Sequence, residues 1–141
     1  MLVYAHGERE LKANAEARQA DARRTAYVQF EASFESFKNA SKAVRNYLQA
    51  TATERLNQWN RQYIPARQNL WQTEAAAKLV ASEENIKLLE WSHSKSEQVD
   101  TLLWRAFNGW EPLNSNQFDN ELGACDDAVK ELMKNARDEV L

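Results

Sequence analysis

The chain has 141 residues with a formal net charge of -3 and 43% apolar residues. That is one domain's length, since domains cluster near ~100–150 residues, and enough apolar content to exclude wholesale disorder. One cysteine, Cys125, excludes an internal disulfide, and no run reaches the ~18–20 apolar residues of a membrane span.

Helix formers dominate. There are 21 Ala against 14 β-branched residues, and only 3 Gly and 2 Pro. Sheets need β-branched runs and frequent turn residues, and the sequence has neither. The mean hydropathy of -0.74 suits long helices with one apolar stripe and a wide solvated face. The expected fold is all-α, one helical domain over 1–141. It is an antiparallel helical hairpin or coiled coil closed by a shorter third helix, a three- to four-helix bundle overhung by a long N-terminal helix.

In chain order, Met1–Ala5 is apolar but too short for a signal peptide, and no basic residue precedes it. It reads as a short docking segment or the remnant of a longer precursor. Residues 8–26 are rich in Ala, Arg, Glu and Gln, with Leu11 the only large apolar group. Their helix propensity is strong and they have little to bury, so they form a helical N-terminal extension. From Tyr27 the pattern becomes a heptad seam: Tyr27, Phe30, Phe34, Phe37, Ser41, Val44, Leu48 and Thr51 step by alternating threes and fours. Ala52, Leu56, Trp59 and Tyr63 continue it after a phase slip. No Gly or Pro lies between Glu8 and Ile64. One continuous or slightly bent first bundle helix over 27–64 is therefore expected. Thr51-Ala-Thr-Glu54 has capping-box spacing and supports a rival reading with a new helix start.

Pro65 reads as a corner, because proline disfavours helix at the residue before it and opens a new one well. A second helix over 66–108 should bury Leu70, Trp71, Ala75, Leu79, Ser82, Ile86, Leu89 and His93. Its weak point is 92–94, where Ser94-Lys-Ser-Glu97 again has capping-box spacing. Gly109 to Asn116 is a loop of turn formers. The last helix, 117–140, carries Phe118, Leu122, Cys125, Val129, Leu132, Met133, Ala136 and Val140 as its stripe.

A helix over Glu8–Ile64 would be about 85 Å long at ~1.5 Å per residue. A compact globule of this size has a radius of gyration of about 14 Å. The first helix must overhang its bundle, and its extension either projects into solvent or has its alanines covered by another chain. Charge is also uneven, +3 over residues 1–64 and -5 over 111–141, which favours contact between first and last helices.

Few residues invite chemistry. Glu90-Trp-Ser-His93 places two metal-ligand types on one helix face, but di-iron bundles need two such motifs and two further glutamates. The chain has 2 histidines. Adjacent carboxylates at Glu83-Glu84 and Asp126-Asp127 diverge on a helix. Cys125 lacks a positive neighbourhood, and Asp126 and Asp127 should raise its pKa. Arg23-Arg24 is the only adjacent basic pair, too little for a nucleic-acid face. No catalytic, cofactor-binding or metal site is expected.

The unusual feature is 5 tryptophans. Trp, Tyr and Arg are enriched in interface hot spots. Trp59, Arg61, Tyr63, Arg67 and Trp71 around Pro65 form the first docking candidate, with Trp91, Trp104 and Trp110 beyond it. The expected function is a non-catalytic structural or adaptor subunit of a larger assembly, with other protein chains, identical or different, as partners. A small acidic binding protein of the immunity or antitoxin type is the alternative, and it requires the first helix to end near Leu48–Thr53. A metal-dependent bundle enzyme using Glu90 and His93 comes third. A single cysteine fits a reducing compartment.

Overall fold

The computed structural model describes residues 2–140, with the side chains of 7–139; the opening Met1–Ala5 segment and the place of Val140 in the last stripe lie outside this side-chain description. Five α-helices run in chain order: α1 Leu2–Tyr47, α2 Ala52–Asn57, α3 Ile64–Val80, α4 Glu83–Phe107 and α5 Ser115–Val140. A π-helical turn, Gln58–Tyr63, joins α2 to α3. No strand occurs among the described residues.

Helices α1, α3, α4 and α5 form an antiparallel four-helix bundle. Phe37 meets Tyr63 at one end of the α1–α3 pair, and Arg23 Nε donates to the Val80 carbonyl at the other, 2.7 Å away. Arg45 pairs with Asp119 and Tyr27 Oη donates to Glu139, so α5 runs opposite to α1. Asn85 meets Asn135 and Lys95 meets Glu121, which sets α4 against α5. The Arg45–Asp119 and Lys38–Asp126 pairs bring the basic first helix against the acidic last one within the chain.

The heptad seam does what its period requires. Tyr27, Phe30, Phe34, Phe37 and Ser41 are fully buried, and Val44 nearly so. Facing it, α5 buries Phe118, Leu122, Cys125, Val129, Leu132 and Ala136. Polar side chains close the far end: Asn85 Nδ2 donates to Glu139 Oε1 at 3.0 Å, and Ser82 Oγ and Tyr27 Oη also donate to Glu139.

Four helix boundaries differ from the sequence expectation. The first bundle helix does not run through 50–54 to Ile64. It ends at Tyr47, and residues 48–51 reverse the chain. Thr51 sits in extended backbone and accepts a hydrogen bond from the Glu54 amide at 3.3 Å, so the capping-box reading is the one realised. A straight helix would have left Trp59 and Tyr63 bare. Folding back places Tyr63 against Phe37, ring centroids 5.9 Å apart. Leu56, read as part of the buried stripe, stays 51% exposed.

Pro65 is not a corner. It occupies the first turn of α3, and Ile64 before it is helical at φ -57°, ψ -48°. The π-helical turn explains the tolerance. Ile64 N–H reaches back five residues to the Trp59 carbonyl, and this wider winding relieves the clash a proline makes with a normal helical turn.

The second helix breaks at 81–82, not at 92–94. Ala81 and Ser82 are extended (ψ 152° and 162°), and Ser82 Oγ accepts from the Asn85 amide at 3.4 Å. Glu83 and Glu84 then occupy the first turn of α4, where the helix dipole favours them. The break resets the helical phase. Within α3 the buried face follows Leu70, Glu74 and Ala77, so Leu79, nine residues after Leu70, lies on the opposite face and is 88% exposed. The helix is continuous through 92–94 because Ser92 and Ser96 are small enough to be buried at the seam; Ser96 Oγ bonds back to the His93 carbonyl at 2.8 Å. Gly109, at φ 72°, ends α4 in the left-handed conformation that glycine adopts freely. α5 starts two residues before the expected 117, at Ser115, with Asn114 Oδ1 accepting from the Gln117 amide.

Residues 8–19 of α1 are all exposed, and the helix joins the bundle from Arg23, which reaches Val80, and buries its first side chain at Tyr27. The N-terminal extension is thus a helical arm. From Glu8 to Ala22 it projects about 22 Å at ~1.5 Å per residue.

Candidate protein-docking surface

The tryptophan-rich end of the bundle is built from the π-helical turn and the end of α4. Trp59 is 4% exposed and stacks on Phe107, centroids 4.8 Å apart at 20°. It also lies 4.5 Å from Tyr63 and 5.6 Å from Trp104. Trp110, in the loop after α4, meets Trp104 edge-on at 6.4 Å and 84°. Exposure rises along this series, from Trp59 through Trp104 at 43% to Trp110 at 68%. The core thus continues to the surface as a run of mutually packed rings. Leu56 adds an exposed apolar side chain one turn before Trp59. Arg55 and Arg61 lie on the same stretch, and Arg55 Nε is buried without a hydrogen-bond partner.

The structure thus divides the sequence candidates. Trp59, Trp104 and Trp110 come together, with Trp59 as a core residue beneath the surface pair. Tyr63, Arg67 and Trp71 belong instead to the α3–α4 seam. Tyr63 is fully buried and donates to Asp100 at 2.5 Å. Its phenol is held well above its ordinary pKa, by burial first and then by the Asp100 charge. Arg67 pairs with the same carboxylate at 2.9 Å and lies 5.1 Å over the Trp71 ring. Trp71 Nε1 donates to Ser96 Oγ at 3.2 Å. Arg61 is exposed on the π-helical turn. Trp91 is 53% exposed on α4, with Lys95 Nζ 4.6 Å over its ring. Trp104, Phe107 and Trp110 group together in the sequence already; Leu56 was not legible as a member of this surface, since after the phase slip it reads as part of the buried stripe.

The Glu90–His93 pair does not converge. Glu90 is exposed, while the two ring nitrogens of His93 contact Glu74 at 2.7 Å and Glu97 at 2.5 Å. No group of three His, Cys, Asp or Glu arranged to hold a metal ion occurs among the described residues. No helix among them is long and apolar enough to cross a membrane.

Cys125 is fully buried beside Ser92, Sγ to Oγ 3.2 Å. Burial is the main reason its thiol is pushed up to about 12; Glu74 and Asp126 add to it, against the Ser92 hydrogen bond. The thiolate is the reactive form. At pH near 8 the native thiol should resist a disulfide reagent, and one equivalent should react once the chain is unfolded. Rapid labelling of the native protein would contradict this burial.

Compared with known family profiles, curated proteins and solved structures, the chain matches none.

Proposed function

We propose that the chain is a non-catalytic structural or adaptor subunit that docks other protein chains through the aromatic end of its bundle and the bare arm of α1. The observation that carries this is the Trp59–Trp104–Trp110 series. Tryptophan left 68% exposed forgoes the largest hydrophobic gain of any side chain. Packing against Trp104 also holds the Trp110 ring in place, which lowers the ordering cost on binding. Apolar surface of this kind on a well-packed scaffold marks interaction sites. The arm supports the same reading. Ala13, Ala15 and Ala17 are exposed on it, and small side chains let a partner helix approach closely.

The acidic-binder alternative gains one observation, the early end of α1 at Tyr47. Against it, the acids it would offer are engaged within the chain. Asp119 pairs with Arg45, Glu121 with Lys95, and Asp126 with Lys38 and Lys130. Neutralising Asp119, Glu121, Asp126 and Asp127 together separates the two readings, since only the alternative loses its partner.

Trp110→Ala tests the docking reading directly. Hot-spot tryptophans contribute about 2 kcal/mol or more, so affinity for the native partner should fall by roughly 30-fold or more. Unchanged recovery of every partner by a tagged Trp104→Ala/Trp110→Ala chain, expressed in its source cells, would reject it.

A further inference from the structure

Polar bonds tie α3 to α4 at successive levels. Tyr63 and Arg67 reach Asp100, Trp71 reaches Ser96, and nearest the 81–82 turn Glu74 reaches His93. The last level differs from the others in its proton count. Glu74 Oε2 lies 2.7 Å from His93 Nδ1, and Glu97 Oε1 lies 2.5 Å from His93 Nε2. Each contact needs a proton between its nitrogen and its oxygen. A neutral imidazole supplies one. The trio as built therefore holds a second proton, on the ring or on a carboxyl. Without it, one contact becomes lone pair against lone pair, and two carboxylates face one neutral ring.

Solvent cannot repair that loss at Glu74. Its side chain is 3% exposed, and its Oε1 is buried with no hydrogen-bond partner. Glu97, at 58% exposure, is the solvent end of the chain of contacts.

We propose that Glu74–His93–Glu97 is a proton-operated latch on the α3–α4 seam, closed while the trio holds two protons and released when it holds one. The latch is independent of the docking reading above.

The ionisable groups around Glu74 are few. On α3 it has Lys78, and on α4 His93 and Glu97. On α5, Cys125 and Asp126 lie beyond it, and Asp126 is paired with Lys38 of α1. Burial outweighs the favourable His93 and Lys78 interactions and raises the Glu74 carboxyl to about 7. Release thus falls near neutrality. The signal has a path along the seam: the Trp71 ring meets His93 edge-on at 5.5 Å, and Trp71 Nε1 donates to Ser96, whose hydroxyl bonds to the His93 carbonyl.

The test is a nuclear magnetic resonance titration of the full chain from about pH 5 to about pH 9. It follows the His93 ring nitrogens, the Trp71 indole N–H and amide exchange along α3. The Trp71 indole signal should shift with the Glu74 carboxyl, with a midpoint near 7, and α3 amides should exchange about tenfold faster above it. Glu74→Gln can donate its amide N–H to Nδ1 while Nε2–H serves Glu97, so it closes the latch without the second proton. In that variant the Trp71 signal should stay constant. A Trp71 indole signal and α3 amide exchange that stay constant across this pH range in the wild-type chain overturn the proposal. An unchanged Trp71 titration in Glu74→Gln does so as well. If that variant fails to fold, the wild-type titration alone decides.

Discussion

Trp59→Ala should cost about 3–5 kcal/mol of folding stability, the usual loss when a large buried aromatic is truncated. Trp110→Ala should change stability by no more than about 0.5 kcal/mol. By composition the two residues are equivalent docking candidates; position alone separates them. Trp59 is 4% exposed and touches Tyr63, Trp104 and Phe107. Removing it opens a cavity where the π-helical turn, α3 and α4 meet. Small domains hold only about 5–15 kcal/mol in total, so the loss is a large share of it. Urea denaturation of both variants measures the contrast. A Trp59→Ala midpoint within error of wild type would mean that the π-helical turn is not seated on the bundle as described.

The second large effect is on stability against pH. Glu74 titrates at about 7 in the folded chain, against an ordinary value of 4.5. Between those values the folded state holds a proton that the unfolded state has released. Stability contributed by this group is therefore fully present below about 4.5, declines as pH rises, and is gone above about 7. The full loss is about 3 kcal/mol, at 1.36 kcal/mol per pKa unit. Most acidic groups that are salt-bridged in the native state act with the opposite sign, so the direction is diagnostic. Glu74→Gln removes the titration and should flatten the decline, making the variant the more stable chain at pH near 8. Chemical denaturation at several pH values measures both. A wild-type stability that rises from pH 5 to 7, with Glu74→Gln following in parallel, would contradict the buried, proton-holding Glu74.

The parts of the fold carried by an unbroken helical period were legible in the sequence. Tyr27 to Val44 repeats with a heptad period and is buried throughout, and Phe118 to Ala136 behaves the same way on α5. The elements that escaped are those where chain reversal lacks glycine and proline. The 48–51 turn is marked only by the Thr51 cap, and the 81–82 turn only by Ser82, whose third following residue is Asn85 in place of the glutamate of a capping box. Pro65 misled in the other direction, because a π-helical turn absorbed it. Each boundary shift rotates the phase downstream. On α3 itself the buried face runs through Leu70, Glu74 and Ala77, which leaves Leu79 on the opposite face, in solvent. The docking surface was half legible for the same reason. An excess of tryptophan is visible in the composition. Which of them end a packed series at the surface depends on how α2 and the π-helical turn fold back onto α4. The His93 cluster joins residues 19 and 4 positions apart, and only its second pair lies within helical reach.

Site-specific photocrosslinking in the source cells tests the docking account most directly. A photoreactive amino acid would be placed at Trp110, at Ala15 on the arm, and at the exposed Gln72 of α3 as a control. The docking account predicts discrete heavier adducts containing a second protein chain from positions 110 and 15, and none from 72. No adduct at 110 and 15, or the same adducts at 72, would contradict it.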